Sequence, residues 1–330
     1  MAHPLFARLH QYHAGLSLDV LAPGWTLPLL ARMPEVRRAW ENPFGHGALN
    51  IGARRRLARR LRGECYDQAI VLPNSLKSAL IPFFAGIPRR TGYLGEQRYL
   101  LLNDRRSLDK TGVPLMAERF AALAEPAGAP LPRPIPAPAL RGDAAGRRIA
   151  AQKLGVTTER PVAVLCPGAE YGPAKRWPAA YFAALARRLA DCGYAVWSIG
   201  SPKDQAIGEE IHRLSGSACD NLCGRTTLGE AIDLLSHAAL VVTNDSGLMH
   251  VAAALDRPLA ALFGSSSPVF TPPLSDRAQV ISLNLACSPC FKRECPLGHF
   301  HCMRQLTPQR AAAAIETLTT AAATVVQQHR

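Results

Sequence analysis

Short apolar runs alternate with stretches of helical spacing along almost the whole chain. In the first 115 residues, the runs at 17–21, 68–72 and 100–102 predict strands. The amphipathic stretches 4–12, 48–61 and 75–84 predict helices. Residues 124–144, AEPAGAPLPRPIPAPALRGDA, are too rich in proline, alanine and glycine to sustain a helix or a central strand, and predict a linker. Beyond it, the runs 161–166, 195–199, 239–243, 259–263 and 279–283 predict strands, again with helices between them. One helix opens at Thr227 with Glu230 three residues on, a capping-box spacing. Another begins after Thr307 with Pro308 in its first turn and runs to Gln328. The pattern is α/β and predicts two doubly wound, Rossmann-like domains facing a cleft. Their expected bounds are 1–123 for the first domain, 124–150 for the linker, 151–306 for the second domain and 307–330 for a C-terminal helix.

Two strand ends carry candidate chemistry. The run ending at Thr243 meets Asn244, Asp245, Ser246 and Gly247 and then turns helical, with His250 one turn on from Ser246. The first amides of a helix lack internal partners and sit at the positive end of its dipole, so such a turn suits a phosphate. Asp245 does not itself bind phosphate; it is expected to cap the helix or face a sugar hydroxyl. The second strand end is PGAEYGPAKRWP, residues 167–178. Its small residues, Gly168 and Ala169 among them, let backbone approach a ligand. Lys175 and Arg176 stand just before a helix start, where the dipole disfavours cations unless an anion lies between. Two such turns in one domain point to a diphosphate.

Charge adds a partner class. The formal net charge is +13, and residues 1–110 carry 17 Lys plus Arg against 8 Asp plus Glu, a net of +9. Arg54, Arg55, Arg56, Arg59, Arg60 and Arg62 fall on one helical stretch. They read either as a solvated face or as attraction to a polyanion such as an anionic leaflet or a phosphorylated glycolipid. No aromatic-rich RNA-binding signature or zinc-finger helix accompanies them, so nucleic acid is not a favoured partner. No apolar run is long enough to span a bilayer, and the start has no signal-peptide core. The expected location is the cytoplasm.

Five of nine cysteines, Cys65, Cys166, Cys192, Cys219 and Cys223, are scattered like reduced thiols. Cys287, Cys290, Cys295 and Cys302 instead cluster as C-x2-C-x4-C-x6-C, with His299 and His301 among them. They read as a structural zinc site or as a reduced cysteine-rich loop.

CPGAEYGPAKRWP, IGSPKD, VTNDSGLMHVAAAL and FGSSSPVFTPPL in the second half, and VLPNSLKSALIPFFAGIPRRTGY, LLNDRRSLDK, LAPGW, ARMPEV and FGHGAL in the first, carry a family pattern. They resemble, in order and over nearly the whole chain, the ADP-heptose:lipopolysaccharide heptosyltransferase II family. The resemblance implies a GT-B fold and inverting transfer of heptose from ADP-L-glycero-D-manno-heptose to the first heptose of the lipopolysaccharide inner core. It implies that Lys175 contacts the diphosphate, that Asp245, Ser246, Gly247 and His250 form the sugar-phosphate turn, and that Gly200, Ser201 and Asp204 face the nucleoside. Asn74, Ser75 and Lys77 are expected on the acceptor side. No cofactor is required, and the partners are ADP-heptose and a phosphorylated inner-core acceptor, met by a monomer at the cytoplasmic face of the inner membrane. Alternatives within the class are heptosyltransferase I and a protein heptosyltransferase.

Members of that family begin with an apolar strand and a Gly-Asp loop whose aspartate resembles a general base. This sequence opens on the helix that follows, so the expectation is a first domain without its first strand and a chain without its base. A silent nucleotide-sugar-binding protein is therefore the alternative of another class. His3, His46 and Asp104 offer no pattern that would make them substitutes.

Overall fold

The computed structural model describes residues 1–45 and 47–328, without the side chains of 319–328; His46 lies outside them. The chain divides into two compact units, one of residues 1–27 and 35–136 and the other of residues 28–34 and 137–330. Every strand pair is parallel, as the alternation of strands and helices requires.

The first unit holds two sheets. Strand β1 (Asp19–Pro23) pairs with β2 (Arg38–Asn42), and β3 (Gln68–Ile70), β4 (Arg89–Tyr93) and β5 (Asp104–Arg106) form a three-stranded sheet in that order. Trp40, Leu57, Leu61, Ile81 and Ala85 make its main core, joining β2 to the helices Ile51–Arg62 and Leu76–Ala85. The arginine-rich helix is amphipathic as predicted: Leu57, Ala58 and Leu61 are buried. Arg54 is buried with them because its guanidinium donates to the carbonyls of Leu49 (2.7 Å) and Ala48 (3.0 Å) and lies over the Phe44 ring.

Two expectations fail here. Residues 100–102 form a turn, closed by the amides of Leu101 and Leu102 on the Arg98 carbonyl, and the strand is the polar Asp104–Arg106 that follows. Its burial is ionic: Arg106 donates to Asp104 at 2.8 Å and to the Glu125 carbonyl at 2.6 Å. The helix Ala144–Leu154 begins inside the stretch expected to be linker. It is capped by the Asp143 side chain, which accepts from the Ala145 amide at 2.9 Å, and Asp143 in turn donates its own amide to Asp233.

The second unit is one six-stranded sheet ordered β11-β10-β9-β6-β7-β8. Its strands are β6 (Val162–Cys166), β7 (Ala195–Ser198), β8 (Asp220–Asn221), β9 (Leu240–Asn244), β10 (Leu259–Phe263) and β11 (Ala278–Ser282). β6, β9 and β10 are buried along their whole length, which explains the apolar sequences of β6 and β10 and of β9 as far as Val242. Helices cover both faces. One face packs Trp197 and Phe263, the other Trp177 and Phe182. Burying a side chain of that size contributes roughly 1.5–3 kcal/mol, which fixes the strand ends that carry the site. The Thr227 capping box forms as expected, with the Thr227 hydroxyl accepting from the Glu230 amide and the Glu230 carboxylate from that of Thr227.

Candidate functional site

The order of the second sheet reverses at β6. From that strand the chain runs outward through β7 and β8 on one side, while β9, β10 and β11 lie on the other. Ligands of open α/β sheets bind at the carboxyl ends of strands where the order reverses, because the loops there diverge and leave a crevice. β6 and β9 are the adjacent strands at that point, and they end at Cys166 and Asn244. Both turns singled out in the sequence therefore open from the same place.

Asn244 joins them. It is fully buried; its Oδ1 accepts from the Trp177 amide at 3.1 Å and its Nδ2 donates to the Pro167 carbonyl at 2.7 Å. Both ends of the 167–177 loop are thus tied to the end of β9. The tie brings Lys175 Nζ to 2.5 Å from Asp245 Oδ2, with the ammonium 5.3 Å from the centre of the Tyr171 ring. Asp245 pairs with Lys175 and does not cap the following helix; the cap position is Ser246, whose side chain makes no capping bond. The anion that the sequence called for beside Lys175 is thus supplied, in this structure, by the protein itself. At the start of the helix Gly247–Ala254, nothing lies within 4 Å of where a Gly247 Cβ would be, so the backbone there faces open space.

The third loop closes on the first. The Asp204 carboxylate accepts from the Ser201 amide (2.9 Å) and hydroxyl (2.7 Å), and lies 3.8 Å from Arg176 Nη2. A Cβ on Gly168 would stand 2.5–2.8 Å from the Asp204 carboxylate, and one on Gly200 would stand 2.9 Å from the Asp204 Cβ. A side chain at Gly200 would press on the Asp204 Cβ, and one at Gly168 would push the Asp204 carboxylate off the Ser201 amide and hydroxyl. Gly168, Ala169, Lys175, Arg176, Gly200, Ser201, Asp204, Asp245 and Ser246 thus belong to three neighbouring strand-end segments of one unit, with Gly247 and His250 in the first turn of the helix that follows β9.

Burial pushes the His250 imidazole pKa down from its ordinary 6.5 to about 4, with Asp245 pulling the other way. Below pH 6.5 the unfolded chain takes up a proton that the folded one refuses until about pH 4, so folding stability falls as pH drops through that window. At about 1.4 kcal/mol for each tenfold change in proton affinity, the loss reaches roughly 3 kcal/mol. Thermal unfolding between pH 7 and 4.5 is expected to show this slope, and His250→Gln to remove that part of it.

In the first unit, Asn74, Ser75 and Lys77 line a cavity of about 510 Å³ together with Gly47, Leu49, Pro73, Leu76 and Glu96. Ser75 precedes the helix Leu76–Ala85 without a side-chain cap, and the first helical amide, that of Leu76, donates to Glu96 at 2.7 Å instead. Asp104 is spent in ion pairs with Arg89 and Arg106, and His3, whose pKa burial pushes down, in a 3.1 Å hydrogen bond with Glu35. The guanidinium partners and Thr91 hold Asp104 at a pKa of about 2 against the cost of its burial.

Cys287, Cys290, Cys295 and Cys302 line one small cavity of about 20 Å³ with Ser265 and His299. The Phe300 amide donates to Cys295 Sγ at 3.4 Å, which lowers that thiol's pKa, while burial raises that of Cys302. Among the described residues, however, no three His, Cys, Asp or Glu side chains are gathered so as to hold a metal ion.

Sequence reasoning passed over Asn244 as a bridge and Ser265 and Ser266 altogether. The last two follow β10, the strand beside β9, and their hydroxyls are buried with no hydrogen-bond partner among the described residues. FGSSSP gave only a family pattern, with no spacing that marks a ligand contact.

The family model for glycosyltransferase family 9 (heptosyltransferase) matches residues 54–301, more than half of the chain. The chain belongs to glycosyltransferase family 9. It is 48% identical over 327 residues to lipopolysaccharide heptosyltransferase 2 of Salmonella typhimurium, covering 96% of this chain and 94% of that one. It is 51% identical over 294 residues to lipooligosaccharide heptosyltransferase 2 of Haemophilus influenzae, covering 86% and 84%. The solved structure of the E. coli ADP-heptose lps heptosyltransferase II matches all of this chain and 95% of its own with a TM-score of 0.86 at 43% identity. The family 9 fold is GT-B, and this chain has it: an α/β protein built on parallel sheets. As a family 9 member it is a glycosyltransferase. Heptosyltransferase I, a protein heptosyltransferase and a silent binding protein are not favoured by these likenesses. Among the described residues no helix is long and apolar enough to cross a membrane.

Proposed function

We propose that this family 9 enzyme moves heptose, with inversion, from ADP-L-glycero-D-manno-heptose to the first heptose of the lipopolysaccharide inner core. The observation that carries the reading is the Lys175–Asp245 pair at the β6/β9 reversal, where two turns suited to phosphate open side by side. As the glycosidic bond breaks, negative charge grows on the departing ADP. Lys175 and the amides at the start of the helix Gly247–Ala254 stabilise that charge more than they stabilise the bound donor, which lowers the barrier. Gly168, Ala169 and Arg176 line the diphosphate, Gly200, Ser201 and Asp204 face the nucleoside, and His250, kept neutral by burial, donates or accepts without adding charge. Lys175 and the backbone amides meet the leaving group, so the protein's own residues carry the charge stabilisation in this reading.

On the acceptor side, Asn74, Ser75 and Lys77 offer hydrogen bonds and one cation to a phosphorylated sugar. The enzyme works as a monomer in peripheral contact with the cytoplasmic face of the inner membrane. The helix Ile51–Arg62 supports that contact: it contains no acid, and Arg55, Arg56, Arg59, Arg60 and Arg62 are exposed. Binding to vesicles containing anionic lipid is expected to weaken as salt rises.

The test is a turnover assay with ADP-heptose and two acceptors, one carrying the first inner-core heptose and one lacking it. Release of ADP with a new linkage of inverted anomeric configuration on the first acceptor alone is the expected result. Transfer to the heptose-free acceptor would make it a heptosyltransferase I, and retention of configuration would overturn the mechanism.

A further inference from the structure

Arg98 is a fully buried guanidinium, and no carboxylate lies within ion-pairing distance of it among the described residues. Its partners are oxygens of two neighbouring segments. Nη1 donates to the carbonyls of Pro73 (2.5 Å) and Ser75 (3.4 Å) and to the Ser78 hydroxyl (3.2 Å). Nη2 donates to Asn74 Oδ1 (3.2 Å) and to the Tyr93 carbonyl (2.6 Å), and Nε to that same carbonyl at 3.2 Å. Arginine stays charged at any working pH, so this is a buried cation held chiefly by dipoles, with the Glu96 carboxylate adding attraction without forming an ion pair. Isolated, such a group is costly to bury, and its retention calls for a reason beyond packing.

The reason lies in what the oxygens belong to. Pro73, Asn74 and Ser75 form the loop that enters the helix Leu76–Ala85 and lines the 510 Å³ cavity with Lys77. Three carbonyls and one amide oxygen turned toward a common point repel one another unless a multidentate donor sits there. A planar guanidinium supplies five N–H groups in a fixed fork, which no other side chain does. The second segment presses on the same loop: a Cβ added to Gly95 would stand 3.0 Å from the Asn74 carbonyl oxygen and 3.2 Å from its Cβ.

We infer that Arg98 is a positioning residue for the acceptor, fixing the Pro73–Ser75 loop from behind so that Asn74, Ser75 and Lys77 present a single arrangement to the cavity. The inference rests on the acceptor-side reading above and adds the residue that enforces it. Arg98 itself does not line the cavity; it acts through the loop.

The test uses Arg98→Lys, Arg98→Gln and Gly95→Ala in the full chain, with two readouts. In the turnover assay, the acceptor KM is expected to rise roughly tenfold or more in Arg98→Gln, while the donor KM stays within about twofold. Arg98→Lys is expected to restore only part of the loss, because an ammonium keeps the charge and loses the fork. Gly95→Ala, which displaces Asn74 with Arg98 intact, is expected to raise the acceptor KM in the same direction. It keeps the question open to test if the buried arginine cannot be replaced without unfolding. The second readout is amide hydrogen exchange, expected to quicken at residues 74–78 in the Arg98 variants. An acceptor KM unchanged in folded variants, or complete rescue by lysine, overturns the positioning role. If the unaltered protein transfers no heptose, the functional reading fails by itself, and unchanged exchange at 74–78 still decides against Arg98 independently.

Discussion

Lys175→Ala is expected to lower kcat for heptose transfer by about a hundredfold or more and to weaken ADP binding. The effect has two sources. The first is loss of the cation that meets the departing diphosphate; removing one preorganised donor from a developing oxyanion typically costs about 10²–10³ in rate. The second is Asp245. Its carboxylate is buried and held by Lys175 at 2.5 Å, so without the lysine a buried anion is left beside the site of an anionic ligand. Repulsion then falls on the donor complex as well as on the transition state. The two sources separate experimentally. Lys175→Ala combined with Asp245→Asn removes the repulsion and is expected to recover much of the ADP affinity, measured by calorimetry, without recovering kcat. Turnover within threefold of the unaltered enzyme in Lys175→Ala would remove Lys175 from the chemistry altogether.

The central strands of the second unit were legible because they are buried on both faces, whereas the two-residue, partly exposed edge strand β8 was not expected. β6 and β10 read as unbroken apolar runs and β9 as one as far as Val242, and the strands so expected start and stop within one residue of the observed ones. The turns at their ends were legible for a related reason: small residues and cations set directly after such a run have few structural explanations. The first unit hid more. β2 carries Arg38 and Glu41 and β4 opens on Arg89 and Arg90, and the core contact of β2 comes from Trp40, whose indole donates to the Tyr66 hydroxyl at 2.9 Å. β5 is Asp-Arg-Arg, a sequence with no apolar signal, while the leucines just before it close a turn. Where burial is achieved by pairing charges, hydrophobic periodicity is silent.

The site shows the same division. Sequence reasoning singled out groups whose chemistry is visible in residue type, and the structure gathers them at the neighbouring ends of β6 and β9. It missed Arg98 and the bridging role of Asn244, because a residue that holds a loop is defined by which distant oxygens and amides reach it. Asp245 shows the limit from the other side: its type and place were read, but its partner is 70 positions away.

Asn244 supplies the second large effect. Its side chain satisfies two buried backbone groups, the Trp177 amide and the Pro167 carbonyl, and Asn244→Ala leaves both without a partner in a region that excludes water. Each buried group left unsatisfied costs about 1–3 kcal/mol, so a loss on the order of 2–6 kcal/mol is expected in thermal or denaturant unfolding. Asn244→Asp should not rescue it, because a carboxylate accepts from the Trp177 amide but meets the Pro167 carbonyl with repulsion in place of a donor. The catalytic consequence follows from the same two bonds. They fix both ends of the loop that carries Lys175, and a displacement of about 1 Å in a catalytic group costs up to about a hundredfold in rate. If Asn244 acts on the reaction only through Lys175, its effect on kcat must vanish once Lys175 is gone. Adding Asn244→Ala to Lys175→Ala is then expected to leave kcat unchanged from the single lysine variant while stability still falls, a non-additivity that separates loop placement from chemistry. A further drop in kcat in the double variant would show that Asn244 serves the reaction by another route, and fully additive effects would break the link between the loop and the lysine.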